Sequence, residues 1–463
     1  MNASSHLVIF SFFLSFFLGV LGCSSGTESA PGQGGARASG GTAGRGGVTG
    51  LSGTSGSGGA TSAGGATGRG GATGAGGATS RGGATSAGGV TSAGGATGKG
   101  GATGSGGISG LGGAAGSSGG TTGVDGGGDN GCPSVAAGVT TVTINNTGPW
   151  NDTTGKHIQA HGGGLLRVCD TWYWFGEDKT QNTNGTGNFH AISCYASKDL
   201  VTWEHRNSVV TTSTDPVLNN VNLIIERPKV IYNASTKLYV MWAHWDMESC
   251  SGVSGSYCDS ESVVFTSPTV DGSYKYVNHF KPGGNGSRDC TLWQEPDGTA
   301  YFVSTGGTNG AGNFTDTEVY ELSSDYLTVK NTKKIWTANS MVEAYAFWKY
   351  NGNYYGVCSG QTGWAPNQAR YLTSTGSITG PWNTNFSYLG TNGSTWSSQP
   401  TYVIPIVGSQ TTTYIYASDL WNSNNLSLST YLWLPLKLDG TTWTLTNSAQ
   451  WSINLATGVV STN

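Results

Sequence analysis

An all-β fold, a five-bladed β-propeller over residues 132–463, is predicted by three observations. From residue 132 onward, runs rich in Val, Tyr, Trp and Thr bounded by Gly, Asn and Asp are everywhere, and stretches of helical period are nearly absent. All 16 Trp and all 20 Tyr fall in this part of the chain, which is ample for one large core. One unit also recurs five times: a polar residue, a short apolar strand, a turn, then an aromatic strand. Its copies open at His161, Glu226, Asp289, Glu343 and Gln399, spaced 65, 63, 54 and 56 residues apart. A period of about 40 to 50 residues with several strands signals propeller blades, and loop insertions lengthen it.

The first unit, HGGGLLRVCDTWYWFGEDK from His161, carries its own acid later, at Glu177. The second, ERPKVIYNASTKLYVMWAHW, opens on Glu226, the third, DCTLWQEPDGTAYFVSTG, on Asp289, and the fifth, QPTYVIPIVGSQTTTYIYASDLW, on Gln399. In the fourth, Glu343 heads an otherwise apolar, aromatic strand. A turn follows at Asn351-Gly352-Asn353, and Tyr354 to Cys358 return as a second strand, so Asn-Gly marks a hairpin. Trp203 and Gly380-Pro381-Trp382 read as outer turns locked by a buried Trp. The first strand of every propeller blade lines the central channel, so polar residues at equivalent strand starts converge on one mouth.

Residues 1–22 form a signal peptide with an apolar core from Leu7 to Leu21, too short for a membrane span and ending in small residues. Val20-Leu21-Gly22-Cys23 resembles a bacterial lipobox, which implies Cys23 as a lipidated mature N-terminus. Residues 23–131 read as a linker: 45 of the 78 glycines lie in 24–131, in repeats of Gly-Gly-Ala-Thr, without one aromatic residue. Such a segment cannot bury enough apolar surface to offset its ordering entropy, so disorder is expected, with a reach of roughly 60 Å. The protein is expected to be exported, as a cell-surface or outer-membrane lipoprotein or else secreted, and monomeric, touching a membrane only through the N-terminal lipid.

A net charge of −4 and a pI near 6.0 supply no basic stripe, which argues against nucleic acid as a partner. Of the seven cysteines after Cys23, Cys250 and Cys258 enclose a Gly/Ser-rich loop and are the expected disulfide, and the odd count leaves a thiol over. No CxxC pair occurs and the seven His are scattered, so no metal site and no cofactor are expected, with a structural calcium left open.

Clustered acids at a channel mouth, surrounded by Tyr and Trp, suit a sugar: aromatic faces cover its apolar side and carboxylates bind its hydroxyls. Like charges and burial raise one carboxyl's pKa, and glycoside cleavage needs such a protonated acid beside the leaving oxygen.

The motifs resemble those of glycoside hydrolase family 43, in its exo-β-1,3-galactanase (galactan 1,3-β-galactosidase) branch. They are Ala160-His161-Gly162-Gly163, Tyr173-Trp174-Phe175-Gly176-Glu177, Glu226-Arg227-Pro228-Lys229-Val230, Ser287-Arg288-Asp289, Glu343-Ala344, Thr362-Gly363-Trp364, Ser398-Gln399 and Trp433-Leu434-Pro435-Leu436. The resemblance implies a five-bladed propeller and inverting, exo-acting release of galactose from β-1,3-galactan, the backbone of arabinogalactan. It implies Glu343 as general acid and Asp289 as the carboxylate that orients and tunes it. Gln159-Ala160-His161 stands where most of the family has an Asp base, and Gln399, with Glu226 as a polar neighbour, implies where water is directed instead. Substrate binding falls on Glu177, His161, Tyr257, Thr362, Trp364 and Asp419. Two other readings stay open: a catalytically inactive galactan-binding propeller, or an enzyme acting on arabinose or xylose linkages.

Overall fold

The protein was analysed as a computed structural model that describes residues 140–251, 257–307, 314–337, 340–383 and 385–461. The expected signal peptide, Cys23 and the 23–131 linker lie outside the described residues.

The described residues are all-β, with four three-residue 3-10 turns as their helical content. Five four-stranded antiparallel sheets follow one another along the chain, each with its strands in sequence order. Their first strands are His161–Val168, Leu223–Asn233, Gly286–Gln294, Val342–Tyr350 and Gln399–Val407. These five touch in a ring, each against the next and Gln399–Val407 back against His161–Val168. The alternation expected of half-buried strands gives way here to long buried runs, because both faces of each inner sheet meet a neighbour.

The expected count of five blades is corrected: six sheets are present among the described residues. The sixth is three-stranded, and Thr141–Asn145, from the start of the domain, pairs with Gln450–Asn454, which pairs with Val460–Ser461 at its end. No copy of the repeated unit marks it, because its strands come from opposite ends of the domain. Its Val142, Ile144, Trp451 and Ile453 enter one core cluster with Leu165 and Trp174 of the first sheet and Ile404, Ile415 and Trp433 of the fifth. It therefore seals the joint where the ring closes, the one junction between neighbouring sheets that no connecting loop spans.

Cys250 and Cys258 are joined by a disulfide, and Cys194, Cys290 and Cys358 are buried free thiols. Trp203 is buried as expected, with its indole N–H on the Leu200 carbonyl at 3.1 Å.

Trp451 is fully buried in the closing sheet and donates to the Trp433 carbonyl at 2.8 Å. Trp451→Ala is expected to destabilise the domain by about 3–5 kcal/mol in denaturant unfolding. A loss below about 1 kcal/mol would mean that the sixth sheet is an appendage and not a seal.

Candidate active site

Every inner strand breaks register near its start. The shifts fall between His161 and Gly164, Glu226 and Lys229, Ser287 and Cys290, Glu343 and Ala346, and Pro400 and Tyr402. A bulge adds a residue to one strand, bends it and re-aims its side chains. Here Glu226, Asp289, Glu343 and Gln399, from four of the five inner strands, are brought to one cavity. Gly162, Arg227 and Ala344, each following the polar residue of its strand, adopt the left-handed conformation with φ near +60°. At position 162 only glycine fits, since a Cβ would meet Glu177 Oε1 at 2.1 Å.

Together the bulges frame a cavity of about 270 Å³ lined by Glu177, Glu226, Asp289, Glu343 and Gln399 with Tyr257, Trp364 and Trp421. The acidic and aromatic lining of this small cavity suits a single sugar ring. Seven of the ten residues expected at the site line it. Thr362 stands outside on an exposed turn, where its hydroxyl donates to the Ala365 carbonyl at 2.5 Å and shapes the loop presenting Trp364. His161 and Asp419, also expected to bind substrate, are buried beneath the site. Asp419 accepts from Gly162 N at 2.7 Å and pairs with His161 Nδ1 at 3.2 Å, while the His161 ring stacks on Tyr431. They brace the first bulge from below and do not line the cavity.

The site also holds what the repeats do not signal. Arg227 is buried in the cavity floor. Its Nε meets Asp289 Oδ2 at 3.0 Å, its two terminal nitrogens donate to Gln399 Oε1 and the Pro400 carbonyl, and its backbone N–H donates to Glu177 Oε1 at 2.9 Å. Asp289 does not open its strand as expected: Ser287 holds that register, opposite Gly306, and Asp289 sits inside the bulge. From there its Oδ2 also accepts the Ala344 N–H at 3.1 Å, fixing the residue after Glu343. Lys179 pairs with Glu177 at 2.7 Å, and the loop backbone at Gly187 faces Glu226, Tyr257 and Trp364.

The acids of the site are not equivalent. Burial works against the charge of Lys179, but Glu177 and Glu226 hold its pKa above the ordinary range. Burial would likewise raise Glu226, yet His244, Lys179 and Tyr257 outweigh it and hold this carboxyl low. Glu343 makes no ion pair among the described residues. Burial, and then the negative charge of Asp289, push its pKa up to about 8, so it is protonated at neutral pH. Gln399 Nε2 donates to Glu343 Oε1 at 3.1 Å and to Ser359 Oγ at 3.2 Å. Its Oε1 accepts from both Arg227 and Trp421 Nε1, two groups that can only donate, which fixes the orientation of the amide.

Atoms of Glu226, His244 and Asp289 come within 4.8 Å of one another, a metal-like grouping. Its surroundings are cationic, however: Arg227 lies on Asp289, Lys179 acts on Glu226, and His244 stands between two carboxylates. These residues do not fit a divalent ion.

Residues 165–395 match the model of glycosyl hydrolases family 43. An exo-beta-1,3-galactanase from Clostridium thermocellum superposes with a TM-score of 0.61 at 36% identity, over 69% of this chain and 68% of that one. The chain belongs to glycosyl hydrolase family 43. An exo-beta-1,3-galactanase of the same family type from Phanerochaete chrysosporium, solved with beta-1,3-galactotriose, is 32% identical over 70% of this chain and 71% of that one, with a TM-score of 0.62. A family 43 beta-1,3-galactosidase solved with galactodeoxynojirimycin is 28% identical over 66% of this chain and 99% of that one, with a TM-score of 0.59. No curated protein matches the sequence. As a family 43 member the chain is a glycosidase, and a protonated carboxyl in a sugar-sized cavity is what glycosidase chemistry requires.

Carboxyl-carbon NMR should show Glu343 titrating near pH 8. Asp289→Asn removes the charge that disfavours ionisation and frees Arg227, so the titration should move to lower pH. An unchanged or higher titration point in that variant would contradict the electrostatic account.

Proposed function

We propose that this glycosidase removes galactose from the ends of β-1,3-galactan by single displacement. The observation that carries the reading is the asymmetry of its acids: Glu343 is held protonated while Glu226, in the same cavity, is held ionised. The galactanase relatives, one of them solved with a β-1,3-linked galactose trimer, supply the sugar and the linkage.

The terminal galactose enters with its apolar face against Trp364 and Trp421, whose rings meet edge-on at 4.7 Å. Glu177, held by Lys179 from behind, binds its hydroxyls. Gln399 donates to Glu343 Oε1, which leaves Oε2 to carry the proton and pass it to the glycosidic oxygen as the bond to C1 breaks. Water attacks C1 from the opposite face and yields its proton to Glu226. Gln399 is an unsuitable acceptor, because both lone pairs of its oxygen already take donors and an imidic form would aim a hydroxyl at Arg227 and Trp421. It aligns the acid instead. An inactive sugar-binding propeller would have no use for a carboxyl kept neutral, and the relatives do not favour arabinose or xylose.

The domain from 132 onward acts outside the cytoplasm as a monomer. It is held to a membrane by a lipid on Cys23 through the 23–131 tether after removal of residues 1–22. The lipobox-like Val20-Leu21-Gly22-Cys23 and the Gly-rich composition support this. Cys23→Ser should release active protein into the medium, and a mature N-terminus elsewhere by mass spectrometry would contradict the anchor.

NMR of the hydrolysis of a β-1,3-galacto-oligosaccharide should show α-galactose first, whereas β-galactose as the initial product would require a covalent intermediate. Glu343→Gln should cost roughly 10² to 10⁴ in kcat on the polymer and less on aryl galactosides, whose leaving groups need little protonation. Glu226→Gln should be equally harmful on both. Recovery of Glu226→Gln with a good leaving group would remove Glu226 from the role of base.

A further inference from the structure

The strand Leu238–Met247 places His244 and Asp246 on one face, two residues apart, with His244 directly opposite Glu226 in the ladder. Both are buried, and the reaction as described uses neither. Asp246 is saturated with donors. Its Oδ1 accepts Met247 N at 2.9 Å and Asp259 N at 2.8 Å, and its Oδ2 accepts Ser260 Oγ at 3.2 Å and His244 Nε2 at 3.1 Å. A carboxylate held by that many donors stays ionised, so His244 Nε2 must carry a proton. The other ring nitrogen, Nδ1, faces Glu226 Oε2 at 3.4 Å, an ion-pair contact and not a well-aligned hydrogen bond. A lone pair there would confront an ionised carboxylate, so Nδ1 carries a proton as well. The ring stacks against Tyr257, whose hydroxyl donates to the other Glu226 oxygen at 3.0 Å.

We propose that Asp246 and His244 are positioning residues for Glu226: Asp246 orients a doubly protonated imidazole at His244, and that cation keeps the Glu226 carboxylate ionised and aimed into the cavity. The inference rests on the reading of Glu226 as the group that receives the proton of water. It explains how two carboxyls in one cavity take opposite protonation states, since Glu226 has a cation across its ladder and Glu343 has Gln399. The other charged groups that bear on this pair are Lys179 from the first sheet, which adds to the effect, Glu177 and Asp289, which oppose it, Glu248 at the strand end, and Arg288, which holds the Tyr257 carbonyl at 2.8 Å. Burial lowers the imidazole pKa, but Asp246 and Glu226 raise it to about 9.

Nitrogen-15 NMR of the full-length wild-type protein reads the claim without any substitution: both nitrogens of His244 should carry protons at pH 7, and one unprotonated nitrogen would overturn it. In kinetics, His244→Gln keeps a hydrogen-bonding side chain but loses the charge. Glu226 should then protonate more easily, and the acidic limb of kcat/KM should rise by about one pH unit or more, with KM changed less than about threefold. Asp246→Asn should lower the pH at which His244 loses its second proton, read in the same nitrogen-15 spectra. A folded His244→Gln enzyme with an unmoved acidic limb would overturn the dyad. Glu226→Gln run alongside separates the two failures, since an undiminished kcat there removes Glu226 from the reaction whatever the state of His244.

Discussion

The site depends on one buried cation. Arg227, on the second inner strand, contacts Asp289 of the third, Gln399 and Pro400 of the fifth, and Glu177 of the first sheet through its backbone. The fourth strand joins indirectly, because the same Asp289 oxygen that takes Arg227 also accepts the N–H beside Glu343. A guanidinium cannot shed its charge to relieve burial, so its partners must stay ionised or dipolar and in place. Bulges place five polar residues near one another, and Arg227 fixes how they face.

Once Arg227 is in place, the electrostatics of the acids follow. A buried carboxylate is tolerated where a cation or several donors compensate it. Glu177 has Lys179, Asp289 has Arg227, Glu226 and Asp246 share His244, and Asp419 has His161 and a backbone amide. Glu343 accepts an amide hydrogen bond but forms no ion pair among the described residues, and burial with the charge of Asp289 outweighs the more distant pull of Arg227. Placed in the same cavity without its own cation, it relieves burial by holding a proton. The proposed proton donor is thus set apart by the ion-pair partner it lacks.

Much of this was legible in the sequence, because a polar residue at the head of an apolar strand is costly unless the strand start opens onto a cavity. Glu343 and Gln399 stand out that way, whereas Glu226 follows three apolar residues of a strand that begins at Leu223. Asp289 lies three residues beyond the strand start at Gly286, inside the bulge that aims it inward, a distortion periodicity does not reveal. His161 and Asp419 have ligand-like chemistry and lie in the right strands, but they pair with each other beneath the floor, a contact between residues 258 apart. The sixth sheet escaped for a related reason: Thr143 meets Ser452 across 309 positions, and neither strand repeats a pattern found elsewhere. Alternation did offer one unused signal, since His244 and Asp246 stand on the same face of a strand whose other neighbours are apolar.

The central claim is a distribution of protons, and neutron diffraction from deuterium-exchanged crystals at neutral pD observes it directly. The account predicts deuterium on Glu343 Oε2, none on either oxygen of Glu226, and a Gln399 amide with its oxygen toward Arg227. Deuterium on Glu226, or a Glu343 carrying none, would contradict it.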